Sequence, residues 1–271
     1  MKVMFAIPAY RGLQCPPLVD SLARTTHLFE ENGIGYDIEI YGGCCYVQVA
    51  RNELVDKFLK SDCDKIFFLD DDISWDPQGA LTVVLSGRPF AGGVYPKKYN
   101  AGIRTPFPVV LMCSEEGIPF CDGEYLRATR TVGGFTCVDR SVFEVLQKTY
   151  PQLAYEQCNE STMDNHERRF DFFPQGVKDG KWIGEDYAFC ELWTALGEEI
   201  AIFPDITFGH HKGSQAWYGN LWRYIKQLPG GVDHEKAEVG KALWTDETDA
   251  RHSGQAQKEE GEERADHVGV P

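Results

Sequence analysis

The stretch KIFFLDDDISWDP, residues 65–77, decides the fold of this chain because it joins a predicted strand to a run of carboxylates. The segment KIFFL has consecutive apolar side chains rather than alternating ones, which is typical of a strand buried on both faces. Three aspartates, Asp70, Asp71 and Asp72, follow it directly. In open α/β sheets, ligands bind outside the carboxyl ends of the strands, so we expect a ligand site here.

Working towards the N-terminus, the sequence alternates between strand and helix patterns. Residues 3–7 and 36–40 have the character of strands, and apolar side chains recur at helical spacing between and after them. The helical positions are Leu18, Leu22 and Phe29 in one segment and Val47, Ala50, Leu54 and Phe58 in the next. The order β-α-β-α-β predicts a parallel sheet with right-handed crossovers.

Towards the C-terminus the pattern is less regular. We expect strands in 89–95 and 108–112, a strand-turn-helix unit in 131–148, an irregular loop over 150–182, a helix over 184–197 that stops at Gly197, and a strand in 198–208. The fold class is therefore predicted as α/β, in one domain over residues 1–240 with a mainly parallel central sheet. Residues 241–271 are polar and highly charged, which predicts a disordered tail.

Composition narrows the class of protein. The net charge is −15, and no basic stripe typical of a nonspecific nucleic-acid binder is apparent. Nine cysteines without a CxxC pair indicate free thiols in a reducing compartment. No apolar stretch is long enough for a membrane span, and the apolar run at the N-terminus is too short for a signal peptide. We therefore expect a cytoplasmic protein with no membrane span.

The aspartates after the strand are candidate metal ligands. Residues i and i+2 of an extended chain point the same way, so Asp70 and Asp72 can face one ion. Hard cations such as Mn²⁺ or Mg²⁺ prefer oxygen ligands and complete their shell with phosphate oxygens and water. The alternative is a solvated acidic turn before the next helix. Adjacent like charges after a buried strand favour a cation.

Several segments resemble, in order and spacing, the motifs of GT-A glycosyltransferases, especially family-2-like enzymes. The acidic segment resembles their DxD motif, and the resemblance extends over most of residues 1–213. The other matching segments are AIPAYRG (6–12), VARNELVDKFL (49–59), GGVYPKK (92–98), GGFTCVDRSVFE (133–144), GEDYAFCELW (184–193) and FGHHKG (208–213). Long acceptor-domain insertions are missing, so the resemblance leaves the acceptor open.

The resemblance implies a set of site residues. Asp186 would be the general base, with Glu185 near the acceptor or the sugar. The metal would be held by Asp70 and Asp72, with His210 or His211 as a further ligand. Contacts to the donor would come from Pro8, Tyr10, Arg11, Arg51, Asn52, Asp70, Asp71, Lys97, Gly133, Gly134 and Lys212.

Most of these residues also have a purely structural interpretation. Carboxylates at positions 185 and 186 are common partners of a helix N-terminus. Arg51 could form a structural salt bridge instead of a donor contact, and Lys212 could be a solvated surface residue. Gly133 and Gly134 allow close backbone approach either to a sugar or to a packed helix. Lys97 and Lys98 could contact phosphate or acceptor, or simply be exposed.

The expected function is metal-dependent, inverting transfer of a sugar from a nucleotide-sugar donor, with a UDP-sugar favoured, to an acceptor hydroxyl. The acceptor could be a glycan, a lipid-linked intermediate, a protein or a modified DNA base. Two alternatives stay open. The DDDIS segment also fits the nucleophile motif of haloacid-dehalogenase-like phosphatases, although two βα units precede it here. The second alternative is a catalytically inactive protein that binds a nucleotide-sugar or a glycan.

Overall fold

The computed structural model describes residues 1–98, 107–158 and 166–227 and shows an α/β protein. The predicted tail, 241–271, and the last part of the predicted domain, 228–240, lie outside the described residues. Among the helices in the described ranges, none has the length and hydrophobicity needed to cross a bilayer.

The helices are α1 (Pro16–Glu31), α2 (Val47–Lys60), α3 (Pro77–Leu85), α4 (Arg140–Thr149), α5 (Glu185–Thr194) and α6 (Leu221–Gln227), with a short 3₁₀ turn at Pro151–Leu153. The strands are β1 (Lys2–Ala9), β2 (Gly35–Gly42), β3 (Lys65–Leu69), β4 (Ile73–Trp75), β5 (Phe90–Gly92), β6 (Val109–Leu111), β7 (Cys121–Asp122), β8 (Tyr125–Thr131), β9 (Phe135–Asp139), β10 (Ala154–Cys158), β11 (His166–Phe170), β12 (Gly176–Lys178), β13 (Lys181–Ile183), β14 (Ile200–Ile202), β15 (Thr207–Lys212) and β16 (Gln215–Asn220).

The N-terminal prediction is confirmed. β1 pairs in parallel with β2 on one side and with β3 on the other, and α1 and α2 connect them. All five residues of β3 are buried, as its unbroken apolar pattern indicated. The aspartates follow at the carboxyl end of this strand. β2 forms one edge of the sheet and leaves Ile38 and Ile40 about two-fifths exposed.

The large sheet is mixed, so the expectation of a mainly parallel sheet is not confirmed. Its order is β2-β1-β3-β9-β5-β14-β8-β6, with β7 added to β8. Among the described strands, three neighbouring pairs are parallel and five are antiparallel. β9 runs antiparallel to both of its neighbours, and β7 joins β8 through a two-residue turn. β9 follows β3 and β5 only after long connections, so the local β-α-β pattern of the first 69 residues did not determine its direction.

The expectation of an irregular loop over 150–182 is wrong for the part that the structure describes. β10 pairs with β11, and β12 pairs with β13, as two antiparallel hairpins. Asp179, in the turn of the second hairpin, has a positive φ of 52° and is followed by Gly180 at 76°. Paired positive φ values are typical of tight hairpin turns, and the polar composition of this segment hid them.

The core is rich in aromatic side chains around β3. The ring centroids of Phe67 and Phe135 are 4.8 Å apart, and those of Phe135 and Phe208 are 4.7 Å apart. All three side chains are essentially fully buried. Burial of one such side chain stabilises a protein by about 1.5–3 kcal/mol. This cluster therefore fixes β3, β9 and β15 against one another beside the acidic residues.

A small three-stranded sheet, β16-β15-β4, extends the chain beyond the aspartates. β4 begins one residue after Asp72, and its Ile73 is opposite His210 of β15. The His211 amide also donates a 2.7 Å hydrogen bond to the Asp72 carbonyl. Pairing of these strands therefore places the late histidines next to the acidic loop.

The far end of α2 is fixed by a single side chain. The Arg140 guanidinium donates to the carbonyls of Phe58, Leu59, Ser61 and Cys63 at distances of 2.6–3.0 Å. These include carbonyls of the last helical turn, which lack partners within the helix. Arg140 thereby anchors the helix that carries Arg51.

Candidate functional site

The site begins where β3 ends. The amide of Asp70 donates a 3.0 Å hydrogen bond to the carbonyl of Gly134, which precedes β9. Its carboxylate accepts from Arg51 Nη2 at 3.0 Å through one oxygen and from the Tyr95 hydroxyl through the other. Both oxygens of Asp70 are thus engaged within the protein.

Arg51 is the centre of a buried ion-pair network. Its side chain is only 4% exposed, and its Nη1 lies 3.1 Å from Glu185 Oε1 at the start of α5. Burial alone would lower the pKa of Arg51, but the carboxylates of Asp70 and Glu185 raise it above its usual value. The guanidinium therefore stays charged. The structure favours the salt-bridge interpretation of Arg51 over a direct donor contact.

Gly133 and Gly134 make this network sterically feasible. A Cβ on Gly133 would lie 2.2 Å from Arg51 Nη1. A Cβ on Gly134 would lie 2.2 Å from the Asp70 carboxylate and 2.6 Å from the Tyr95 hydroxyl. The glycines therefore allow close approach to a packed helix and to the acidic loop, which is one of the two roles open from the sequence.

Asp186 lies in the first turn of α5, next to this network. Burial raises its pKa to about 6, and the nearby Glu185 carboxylate adds to the effect while Arg51 opposes it. One carboxylate oxygen accepts a 2.8 Å hydrogen bond from the Tyr187 amide. A carboxylate with a raised pKa is a stronger base than an ordinary aspartate and is still ionised at neutral pH.

Asp72 is held by a different set of partners. One of its oxygens contacts the Lys98 ammonium, and the other lies 3.3 Å from His210 Nε2. The pKa of Asp72 is lowered, because burial alone would raise it but the contacts with His210 and Lys98 outweigh that effect. His210 Nδ1 lies 2.7 Å from the carbonyl oxygen of Pro96.

The Pro96 contact fixes the tautomer of His210. A carbonyl oxygen only accepts hydrogen bonds, so Nδ1 carries the proton. In the neutral ring, Nε2 then presents a lone pair towards Asp72 Oδ1. Two acceptors that face each other are compatible only with a proton or a cation between them. Asp72 and His210 therefore share either a proton or a bound cation.

Asp71 lies between Asp70 and Asp72 in the sequence. It is half-buried, and its pKa is raised by burial and by the neighbouring charges of Asp72 and Asp70. Among the residues that the structure describes, five carboxylates of this region, at positions 70, 71, 72, 185 and 186, face two permanent cations, Arg51 and Lys98. The region retains an excess of negative charge, which favours binding of a further cation.

The fit of a divalent cation to these residues can be judged from their chemistry. A carboxylate and a neutral imidazole suit Mn²⁺, and such ions commonly use one or two protein carboxylates together with phosphate and water. Asp72 and His210 meet this requirement. Asp70 differs from Asp72 in its partners, because its two oxygens accept from the Tyr95 hydroxyl and from Arg51, a buried guanidinium that stays charged.

In the described part of the chain, three metal-ligating side chains converge away from the acidic loop. Ligand atoms of Asp37, Asp62 and Cys63 lie within 4.8 Å of one another. The Lys2 ammonium, however, is 2.9 Å from Asp37 and 2.7 Å from Asp62. An ammonium already neutralises this group, and the predicted ligands Asp70, Asp72 and His210 do not converge in the same way.

Other predicted site residues have partners elsewhere. His211 Nε2 lies 2.8 Å from Ser74 Oγ, and burial lowers its pKa, so its ring faces β4 rather than Asp72. Asn52 donates to Asp171 at 2.7 Å and accepts from the Phe172 amide at 3.0 Å. These contacts fix the segment after β11 to α2. They do not bring Asn52 to the acidic loop.

The remaining donor-site candidates lie at or near the surface. Pro8 ends up half-buried in β1, whereas Tyr10 and Arg11 are exposed in the turn that follows it. Lys97 is half-buried beside Lys98, and Lys212 is exposed at the end of β15. None of these five is positioned by a hydrogen bond to the three aspartates in the described structure.

Sequence reasoning underestimated Tyr95 and Lys98. Both lie in GGVYPKK, one of the segments that carry the resemblance, but the sequence assigns neither of them to the acidic site. Their partners Asp70 and Asp72 are 25 and 26 residues away. The sequence feature that could have indicated these contacts is a tyrosine and two lysines that follow two adjacent glycines.

Compared with known proteins, the sequence matches no protein-family model and no curated protein.

Proposed function

We propose that this protein transfers a sugar from a nucleotide-sugar donor, with a UDP-sugar favoured, to an acceptor hydroxyl with inversion and with a divalent cation. The observation that carries the proposal is one juxtaposition. A cation-attracting pair, Asp72 and His210, and a buried base, Asp186, flank a single ion-pair network through Asp70, Arg51 and Glu185.

The cation would be held by Asp72 and His210, and when bound it supplies Lewis-acid stabilisation of a departing diphosphate. Asp70 has a different role from the one its motif implied. With both oxygens engaged, it orients the acidic loop against Arg51 and Tyr95. Mn²⁺ or Mg²⁺ suits this oxygen and imidazole chemistry.

Asp186 takes the proton in the transfer step. The acceptor oxygen forms a bond to the anomeric carbon while the bond from that carbon to the diphosphate oxygen breaks, and the hydroxyl proton passes to Asp186. General-base catalysis of this kind contributes about 10²–10⁴-fold to a rate. Arg51 holds Glu185 at the start of the same helix, so it fixes the position of its neighbour Asp186.

The engagement of Asp70 also bears on the phosphatase alternative. In that mechanism the first aspartate of the motif must be a free nucleophile. Here Asp70 accepts from a guanidinium and from a phenol, and both contacts weaken its nucleophilicity. The geometry therefore favours transfer over phosphoaspartate chemistry.

Release of UDP from a panel of UDP-sugars, with Mn²⁺ or with EDTA, tests the proposal. We expect Mn²⁺-dependent UDP release that Asp72→Asn and His210→Ala abolish. Asp20→Asn, which removes an exposed carboxylate on α1, is the matched control and should behave as the wild type. Full turnover in EDTA would show that the reaction needs no divalent cation. Tight binding of a UDP-sugar without UDP release in the presence of any acceptor class would instead indicate an inactive binder.

A further inference from the structure

Lys98 occupies the carboxylate at which a cation would bind. Its ammonium contacts Asp72 Oδ2, while Asp72 Oδ1 faces His210. The Lys98 side chain is 26% exposed and that of Asp72 is 34% exposed, so solvent reaches the pair. The contact therefore neutralises Asp72 and is open enough to solvent to be exchanged.

The segment that carries Lys98 contacts two aspartates of the acidic loop and one histidine of β15. The Tyr95 hydroxyl donates to Asp70, the Pro96 carbonyl accepts from His210, and Lys98 contacts Asp72. Pro96 is buried, which anchors the backbone two residues before Lys98. Lys98 can thus move its flexible side chain while its backbone stays beside the site.

A divalent cation and an ammonium compete for Asp72. Like charges that share one carboxylate repel each other, so a cation held by Asp72 and His210 would weaken the contact of the Lys98 ammonium with Oδ2. The ammonium group remains within the reach of one lysine side chain. A nucleoside diphosphate bound at that cation carries the negative charge that would receive it.

We propose that Lys98 is a resident cation that neutralises Asp72 in the free protein, yields this carboxylate to the incoming divalent cation, and then binds the donor diphosphate. This inference rests on the proposed function, since it takes a nucleoside diphosphate as the ligand. It makes cation binding and diphosphate binding cooperative through one side chain.

Mn²⁺ binding in the absence of nucleotide tests the first half. Free Mn²⁺ is measured by electron paramagnetic resonance for the wild type, Lys98→Met and Lys57→Met. Lys57 pairs with Glu39 on the protein surface at 2.6 Å, so it is a matched lysine–carboxylate control. We expect Lys98→Met to bind Mn²⁺ about tenfold more tightly, within the usual range of coupling between ligands, and Lys57→Met to match the wild type.

An Mn²⁺ affinity that is unchanged or weaker in Lys98→Met, with the far-ultraviolet circular dichroism of the wild type, overturns the inference. Absence of Mn²⁺ binding by all three proteins overturns it as well. Mn²⁺ binding is measured without a sugar, so its failure can be distinguished from failure of the proposed function. If this inference fails but the protein still releases UDP from a UDP-sugar, the proposed function stands.

UDP binding at saturating Mn²⁺, measured by calorimetry, tests the second half. We expect Lys98→Met to bind UDP about tenfold more weakly and Lys98→Arg to retain most of the affinity, because the guanidinium keeps the charge. If Lys98→Met and the wild type bind UDP with equal affinity, Lys98 does not bind the diphosphate and the second half of the inference is wrong.

Discussion

Arg51 and Glu185 lie 134 residues apart in the sequence, yet Arg51 Nη1 and Glu185 Oε1 are 3.1 Å apart in the folded protein. The same guanidinium reaches Asp70 at 3.0 Å. One side chain of α2 therefore connects the end of β3 with the start of α5. The position of the proposed cation ligands, Asp72 and His210, relative to the proposed base, Asp186, depends on this connection.

Arg51→Met should destabilise the protein strongly. Removal of one partner from a buried ion pair leaves uncompensated charges and costs about 3–5 kcal/mol. Arg24→Met is the control, because Arg24 and Asp20 form an exposed pair at 3.7 Å that contributes about 0–1 kcal/mol. Urea unfolding of both variants measures the difference, and equal effects would mean that the Arg51 network is not stabilising.

Asp186 should impose a pH dependence on sugar transfer. A general base must be ionised, and burial raises the pKa of Asp186 to about 6. The rate should therefore rise with pH through about 6 and level off above it. Asp186→Asn should lower the rate by about 10²–10⁴-fold and abolish this dependence, whereas Glu185→Gln, which still accepts from Arg51, should lose less.

Initial rates of UDP release between pH 5 and 8, at saturating donor, measure the profile. Near-wild-type turnover of Asp186→Asn would remove Asp186 as the base. Retention of anomeric configuration in the product, read by NMR, would exclude a single displacement even if the pH profile agreed.

Asp186→Asn should at the same time stabilise the fold at neutral pH. The folded-state pKa is raised above the usual value of 3.8, so the unfolded chain ionises first as pH rises. Stability contributed by the protonated form is therefore present at low pH and lost as pH rises towards and through about 6. At one pKa unit per 1.36 kcal/mol, the ionised carboxylate costs up to about 3 kcal/mol at pH 8.

Urea unfolding of the wild type and of Asp186→Asn at pH 5 and pH 8 measures this cost. The stabilisation by the asparagine should be larger at pH 8, because it removes an ionised buried group there. Asp20→Asn should show no comparable change. If Asp186→Asn is less stable than the wild type at pH 8, burial is not the main cause of the raised pKa of Asp186.

Gly134→Ala should disturb Asp70 directly. The added Cβ would lie 2.2 Å from the Asp70 carboxylate, and overpacking of this kind costs about 1–3 kcal/mol. Gly35→Ala is the control, because its Cβ would lie 3.4 Å from the Lys2 Cγ atom, an ordinary van der Waals distance. Thermal unfolding compares them, and an unchanged melting temperature of Gly134→Ala would show that the loop can move without cost.

Local patterns predicted the parts of the fold that depend on burial and periodicity. The unbroken apolar run of β3 indicated a strand buried on both faces, and Gly197 indicated the end of α5. Gly197 lies just beyond that helix with a φ of 85°, a conformation that glycine adopts without a steric cost. Such features are decided by neighbours in the sequence, so they could be inferred without the fold.

Long-range partners could not be predicted in the same way. Asn52 followed Arg51 in a donor-like motif, yet it binds the Asp171 segment, because β10 and β11 bring that segment against α2. His210 and His211 are adjacent, but alternation along β15 sends one ring towards Asp72 and the other towards Ser74. Only the pairing of β15 with β4 selects between them.

Within the described residues β2 is an open edge of the large sheet, and this has a consequence for how the protein behaves in solution. An edge strand presents unpaired backbone amides and carbonyls to other molecules, and β2 also exposes Ile38 and Ile40. At neutral pH the net charge of −15 keeps molecules apart. Near the isoelectric point of about 4.9 this repulsion disappears, so light scattering should reveal reversible self-association there that added base reverses.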